Sequence, residues 1–185
     1  MQRAGGPQAE LVITGPGEVG PALAYRTRCR TTLGALTQML VEAESRVVIA
    51  APYLQVGHGL SAGPMEGALR ASLDRGVNVD VVSTGRSLAT INAAALREGA
   101  HGVLRFFRPL ANLQDEERLG SHAKFCLADG AVAYVGSANL TGPGLSEHVE
   151  LGLLVRGDIA RQIWDFWEYC VTIGLFVRVR DDADR

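Results

Sequence analysis

The chain has only three cysteines, none in a Cys-x-x-Cys pair or at zinc-ligand spacing with a histidine, so neither a disulfide framework nor a structural zinc site is expected. Cys29, Cys126 and Cys170 read as reduced thiols of a cytosolic protein. No apolar run approaches the roughly 20 residues that cross a bilayer. The first residues lack the basic stretch and apolar core of a secretory leader. A cytoplasmic protein without membrane insertion is the expectation. An excess of positive charge is also lacking: 18 Lys and Arg stand against 20 Asp and Glu, a net charge of −2. That excludes coating of nucleic acid by the whole surface and leaves room only for a local basic cleft. Internal repeats and low-complexity segments are absent too, which excludes a solenoid.

What is present is apolar residue in quantity, 47% of 185, enough for one sizeable core. One domain over residues 1–185 is expected, with flexible ends at 1–8 and 181–185, where small, polar or charged residues dominate. After the apolar Leu11, Val12 and Ile13, the arginines Arg26, Arg28 and Arg30 recur at every second position. They read as a solvated face, with contact to a nucleic-acid backbone as the sharper alternative. Leu33, Leu36, Leu40 and Ala43 predict a helix over 32–43, and the β-branched run that follows predicts a buried strand over 46–51.

A glycine-rich loop at 57–64 is assigned no ligand. A helix over 65–73 stopped by Gly76, a strand over 77–82, a helix over 88–98 and a strand over 103–107 complete a βαβαβ rhythm, which implies parallel pairing. Strands over 123–128 and 131–135 then flank Asp129 and Gly130 as a two-residue hairpin turn. A strand over 151–155 and a closing helix over 160–173, apolar along Ile163, Trp164, Trp167 and Val171, end the walk. The fold class expected is α/β, a mixed and largely parallel central sheet with helices on both faces.

Residues 121–139 fit His-x-Lys, four residues, Asp, six residues, Gly-Ser-x-Asn. A chance match to those six positions in a chain of this length is on the order of one in a million. His122 and Lys124 leave one face of a strand, Asp129 and Gly130 reverse the chain, and the return strand delivers Gly136, Ser137 and Asn139 beside its start. Such a set suits a phosphate: Lys124 neutralises charge, Ser137 and Asn139 donate hydrogen bonds, and Gly136 admits backbone. For Asp129, beside a glycine in a turn, capping of backbone amides competes with a catalytic role and is preferred.

The segment resembles the His-Lys-Asp motif of the phospholipase D superfamily. The resemblance extends upstream to Ala51, Pro52 and Tyr53 and downstream to Glu150, eleven residues past Asn139. It implies that His122 attacks phosphorus to form a phosphohistidine, that a second histidine handles the leaving oxygen and then water, and that neither metal nor cofactor is needed. Glu150 is expected to orient the imidazole. His58, His101 and His148 lack the motif around them, so the second histidine is expected from another copy, in a homodimer with the site across the interface. His148 stands two residues before Glu150, where many members have Asn.

Residues 137–141 and 150–155, with 11–16 and Arg30-x-Thr32, look like the small phospholipase D-like proteins of DISARM-type phage-defence systems. Other defence-system proteins are the partners this resemblance implies, and small size, a single motif and the absence of membrane features make a nucleic acid, DNA first, the expected substrate. The alternatives are a phospholipid phosphodiesterase and a non-catalytic binding or scaffold subunit.

Overall fold

The computed structural model describes residues 8–110 and 121–179. The ends expected to be flexible lie outside the described residues except for Gln8. In chain order the elements are β1 (Ala9–Thr14), α1 (Val19–Thr27), β2 (Arg30–Thr31), α2 (Thr32–Glu42), β3 (Arg46–Ala50), a 3-10 turn (Gly59–Ser61), α3 (Gly63–Asp74), β4 (Asn78–Val82), α4 (Gly85–Leu88), α5 (Ala93–Arg97), β5 (Leu104–Pro109), β6 (Phe125–Ala128), β7 (Val132–Gly136), α6 (Gly142–Ser146), β8 (Glu150–Arg156), α7 (Asp158–Thr172) and β9 (Phe176–Arg178).

The strands form one sheet in the order β2-β1-β8-β7-β6-β3-β4-β5-β9. It is mixed, as expected, but parallel pairing is confined to β1 with β2 and to β3, β4 and β5. The other five pairs are antiparallel, so "largely parallel" holds only for the βαβαβ half. Connection length is the reason only for β6 and β7, whose short turn forces an antiparallel pair; the other antiparallel neighbours are joined by longer connections, which leave either direction open.

Side chains alternate along β3 between two cores. Val47 and Ile49 pack with Leu36, Leu40 and Leu69 of α2 and α3, while Val48 and Ala50 pack with Trp167 and Cys170 of α7. A strand buried on both faces reads as a continuous apolar run, which is why the sequence shows it plainly. Trp167 is fully buried and meets Phe107 edge-on at 5.2 Å and Phe176 at 5.6 Å. Arg46 adds a polar tie: it binds fully buried Asp80 through Nε and Nη2, reaches Glu168 of α7 at 2.7 Å, and lies over Trp164. Asp80 also accepts from Arg105 at 2.6 Å, so Arg105 is committed to a structural ion pair.

Three local expectations change. The arginine-spaced segment carries α1, with Arg26 in its last turn, Arg28 in the left-handed C-cap at φ 56° and Arg30 in β2, so the three share no face. The helix expected over 88–98 is two short ones, because Thr84 caps α4 and Asn92 starts α5 by accepting from the Ala95 amide. The hairpin loop has three residues: Asp129 and Gly130 take φ of 54° and 64°, the Ala131 amide closes the turn on Ala128, and pairing resumes at Val132.

Candidate active site

β6 and β7 bring the two halves of the motif together. Phe125 pairs with Val135, and the Gly136 amide donates to the Lys124 carbonyl at 3.2 Å, which sets Ser137 beside the entry to β6. His122 is exposed and precedes the strand. The Lys124 stem is buried, and its ammonium lies 3.2 Å and 3.4 Å from the two His122 ring nitrogens and 3.1 Å from the His122 carbonyl. Desolvation holds Lys124 below the usual lysine pKa, against the Glu150 carboxylate, which pulls it upward. A cation beside an accessible imidazole is the central feature of the cluster.

Glu150 opens β8 and is mostly buried. Its carboxylate accepts the Ser137 hydroxyl and stands 3.9 Å from His148 Nδ1. The Ser137 hydroxyl also accepts from the Leu151 amide at 3.2 Å, and the Ser137 amide donates to the Leu151 carbonyl at 3.0 Å. Among the described residues no hydrogen bond or ion pair joins Glu150 to His122. Within one copy, then, Glu150 fixes Ser137, and the expected carboxylate–imidazole contact is not made. His148 is exposed but lies within reach of this carboxylate.

Asp129 sits at the other end of β6, away from the cluster. Its carboxylate accepts the amides of Glu44, Ser45 and Arg46 at 2.8–2.9 Å and the Ser45 hydroxyl at 2.7 Å. Burial acts to raise its pKa, but these four donors outweigh burial and hold it below the ordinary carboxylate value. This placement corrects its inclusion among the catalytic residues: the carboxylate is taken up by backbone at the far end of the strand from His122 and Lys124, in the turn role preferred for it.

Gly136 makes room for neighbours within the fold. A Cβ there would stand 2.3 Å from the Tyr134 hydroxyl and 2.9 Å from the Gly152 Cα, so the missing side chain makes room for a tyrosine ring. Asn139 lies two residues past Ser137, its Oδ1 buried without a hydrogen-bond partner. The glycine-rich loop packs against the outgoing end of the motif: Leu54 bridges Leu140, Gln55 Oε1 accepts the Gly142 amide, and Gly59, at φ +56°, has its Cβ position 2.3 Å from the Leu140 carbonyl. It supports residues 139–142 from behind. Sequence reasoning missed Tyr134, whose signal was a large aromatic two residues before a glycine, Gly136, that faces a second glycine, Gly152, across the β7–β8 ladder.

Residues 36–169 match the family described as "Cardiolipin synthase, PLD-like domain". Among solved structures, Nuc of Salmonella typhimurium, a phospholipase D family member, superposes with a TM-score of 0.63 at 15% identity over 94% of this chain and 99% of its own. NucT from Helicobacter pylori gives 0.63 at 14% identity, covering 89% and 95%. The phosphatidylserine synthase of Haemophilus influenzae Rd KW20 gives 0.61 at 10% identity, with 92% of this chain matched to 40% of that one. No curated protein matches the chain in sequence. With 134 of its residues inside the family match and the fold of Nuc around its His122–Lys124 cluster, the chain belongs to the phospholipase D-like family of phosphodiesterases.

Proposed function

We propose that the chain hydrolyses phosphodiesters, DNA foremost, through a phosphohistidine on His122, without a metal, as a homodimer. The observation that carries this reading is the Lys124 ammonium 3.2 Å from an exposed His122 imidazole. His122 attacks phosphorus, forming a P–N bond as the P–O bond to the leaving group breaks. That oxygen takes its proton from His122 of a second copy. Water then gives a proton back to that imidazole and attacks phosphorus, forming P–O and breaking P–N. Lys124 offsets the charge gathering on the equatorial oxygens, and Asn139 and Ser137 line their approach.

Two features support the dimer. The motif occurs once, while the mechanism needs a histidine on each side of the phosphorus. Leu11, Leu153 and Val135 are cross-strand neighbours on β1, β8 and β7, each about half exposed, and Leu151 next to Glu150 continues the row. A three-strand apolar face that stays exposed is unusual for an isolated chain and suits a second copy. Leu153→Asp is expected to yield monomer in sedimentation and to lose hydrolysis with His122 intact.

DNA is preferred because Nuc and NucT are among the structures matched over nearly their whole length. The setting assigned is the cytoplasm and phage defence, alongside other defence proteins, on the resemblance of residues 137–141 and 150–155 to DISARM-type proteins. Incubation with plasmid and single-stranded DNA in EDTA tests the activity, and trapping of labelled phosphate on His122 tests the intermediate. DNA left intact by a dimer that is labelled by a generic diester would remove the nuclease reading. The phosphatidylserine synthase match favours a second reading, a phospholipid headgroup, and choline release from short-chain phosphatidylcholine without DNA cleavage would establish it.

A further inference from the structure

Tyr134 lies on β7, 2% exposed, with its ring across Gly136 and Gly152, which face one another in the β7–β8 ladder. A Cβ at Gly152 would stand 2.4 Å from the ring edge and one at Gly136 2.3 Å from the hydroxyl. Two adjacent strands therefore carry no side chain along the path of this ring. The path ends under the motif: the hydroxyl faces the Thr32 side chain at the start of α2 and the backbone of Ala138, the residue between Ser137 and Asn139, with Glu150 close enough to act on it.

Burial first of all pushes the Tyr134 pKa up to about 12, so the group is an O–H across the physiological range. Both neighbours are close enough to act on the hydroxyl, yet neither meets it at hydrogen-bond geometry. Among the described residues, buried side-chain polar atoms without a partner include Tyr134 Oη and Thr32 Oγ1, which face one another, Asn139 Oδ1 of the loop, and Thr14 Oγ1 at the end of β1. Thr14 is the register partner of Glu150. Buried polar groups are otherwise paired almost without exception, so facing orphans on Tyr134 and Thr32, beside a loop that carries a third on Asn139, mark a set that pairs in another state of that loop.

We propose that Tyr134 is a positioning residue for the phosphate-binding loop: when a phosphodiester oxygen binds, residues 137–139 settle onto the Tyr134 hydroxyl, which accepts the Ala138 amide and donates to Thr32. The settled loop holds Asn139 against the substrate. This rests on the reading of the site given above, and it adds a residue that never touches substrate.

Tyr134→Phe keeps the ring over both glycines and removes only the hydroxyl. With bis(p-nitrophenyl) phosphate, KM is expected to rise about five- to tenfold, the effect of one lost hydrogen bond in the bound state, with kcat within about twofold. Without ligand the melting temperature should hold or rise, since an unpaired hydroxyl has gone, while the rise produced by inorganic phosphate in the wild type should shrink. Thr32→Val should reproduce the KM change, and the double variant should be no worse than either single one. An unchanged KM and an unchanged phosphate effect in both single variants would overturn the proposal, as would a fall in kcat at constant KM. A wild type that neither hydrolyses the diester nor gains stability from phosphate would refute the reading of the site, and the role of Tyr134 with it.

Discussion

The two ends of the β6–β7 hairpin are built on opposite plans. At the turn, Asp129 is saturated by three amides and a hydroxyl, and its pKa is held down. At the open end, His122 is exposed, Lys124 is a partly desolvated cation, and Asn139 keeps an oxygen without a partner. Satisfaction at one end locks β6 to the segment entering β3, and that anchored strand can carry unsatisfied groups at the other. Stability and chemistry are separated along a few residues of one strand, with one motif supplying both.

The largest effect expected from breaking the contrast is on the open end. His122→Ala should lower the rate of diester hydrolysis by about 10⁴-fold or more, the scale of losing a covalent nucleophile, while the melting temperature hardly moves because the side chain is exposed. Stopped assays and calorimetry on the same preparation check both halves. Asp129→Ala should do the reverse. Losing four donors to one carboxylate is expected to cost about 2–3 kcal/mol, a drop of roughly 5–10 °C for a chain of this size, with the rate per folded molecule within about threefold.

The two titrations sharpen the comparison further. Lys124 acts as a cation, and its folded pKa lies below the usual lysine value, so kcat/KM should fall on the alkaline side earlier than an unperturbed lysine, near pH 10.4, would dictate. Lys124→Arg should move that limb to higher pH even as it lowers the plateau, because a guanidinium stays charged. A limb in the same place for both proteins would detach it from Lys124. For Asp129 the folded pKa lies below the unfolded value of about 3.9, so its contribution is complete above that value and is lost as pH falls through the folded pKa. Denaturant melts from pH 6 to 2 should show the wild type losing stability below about pH 4 more steeply than Asp129→Asn. Equal slopes would mean that the carboxylate charge contributes little.

Much of this was legible in the order of residues. The motif spacing placed His122, Lys124, Ser137 and Asn139 at one end of a hairpin because strand alternation and a turn are local rules, and β3, β4, α2, α3 and α7 followed from apolar periodicity. The left-handed Asp129 and Gly130 were signalled by their own chemistry. Less legible were α1, whose helical period was masked by the alternating arginines, and β2 and β9, two or three residues long, which exist only because a neighbouring strand offers its edge.

Partners across the fold lay beyond local rules. The amides that saturate Asp129 come from residues more than 80 positions earlier, and the hydroxyl held by Glu150 and the ring that requires Gly136 are set by strand register. By itself the sequence determined which side chains are grouped for the proposed chemistry, since their types and spacing are local properties of one hairpin. Only the tertiary structure decided that Asp129 supports the fold, that Glu150 holds Ser137, and that Tyr134 lies beneath the loop, because each depends on which distant backbone the sheet brings alongside.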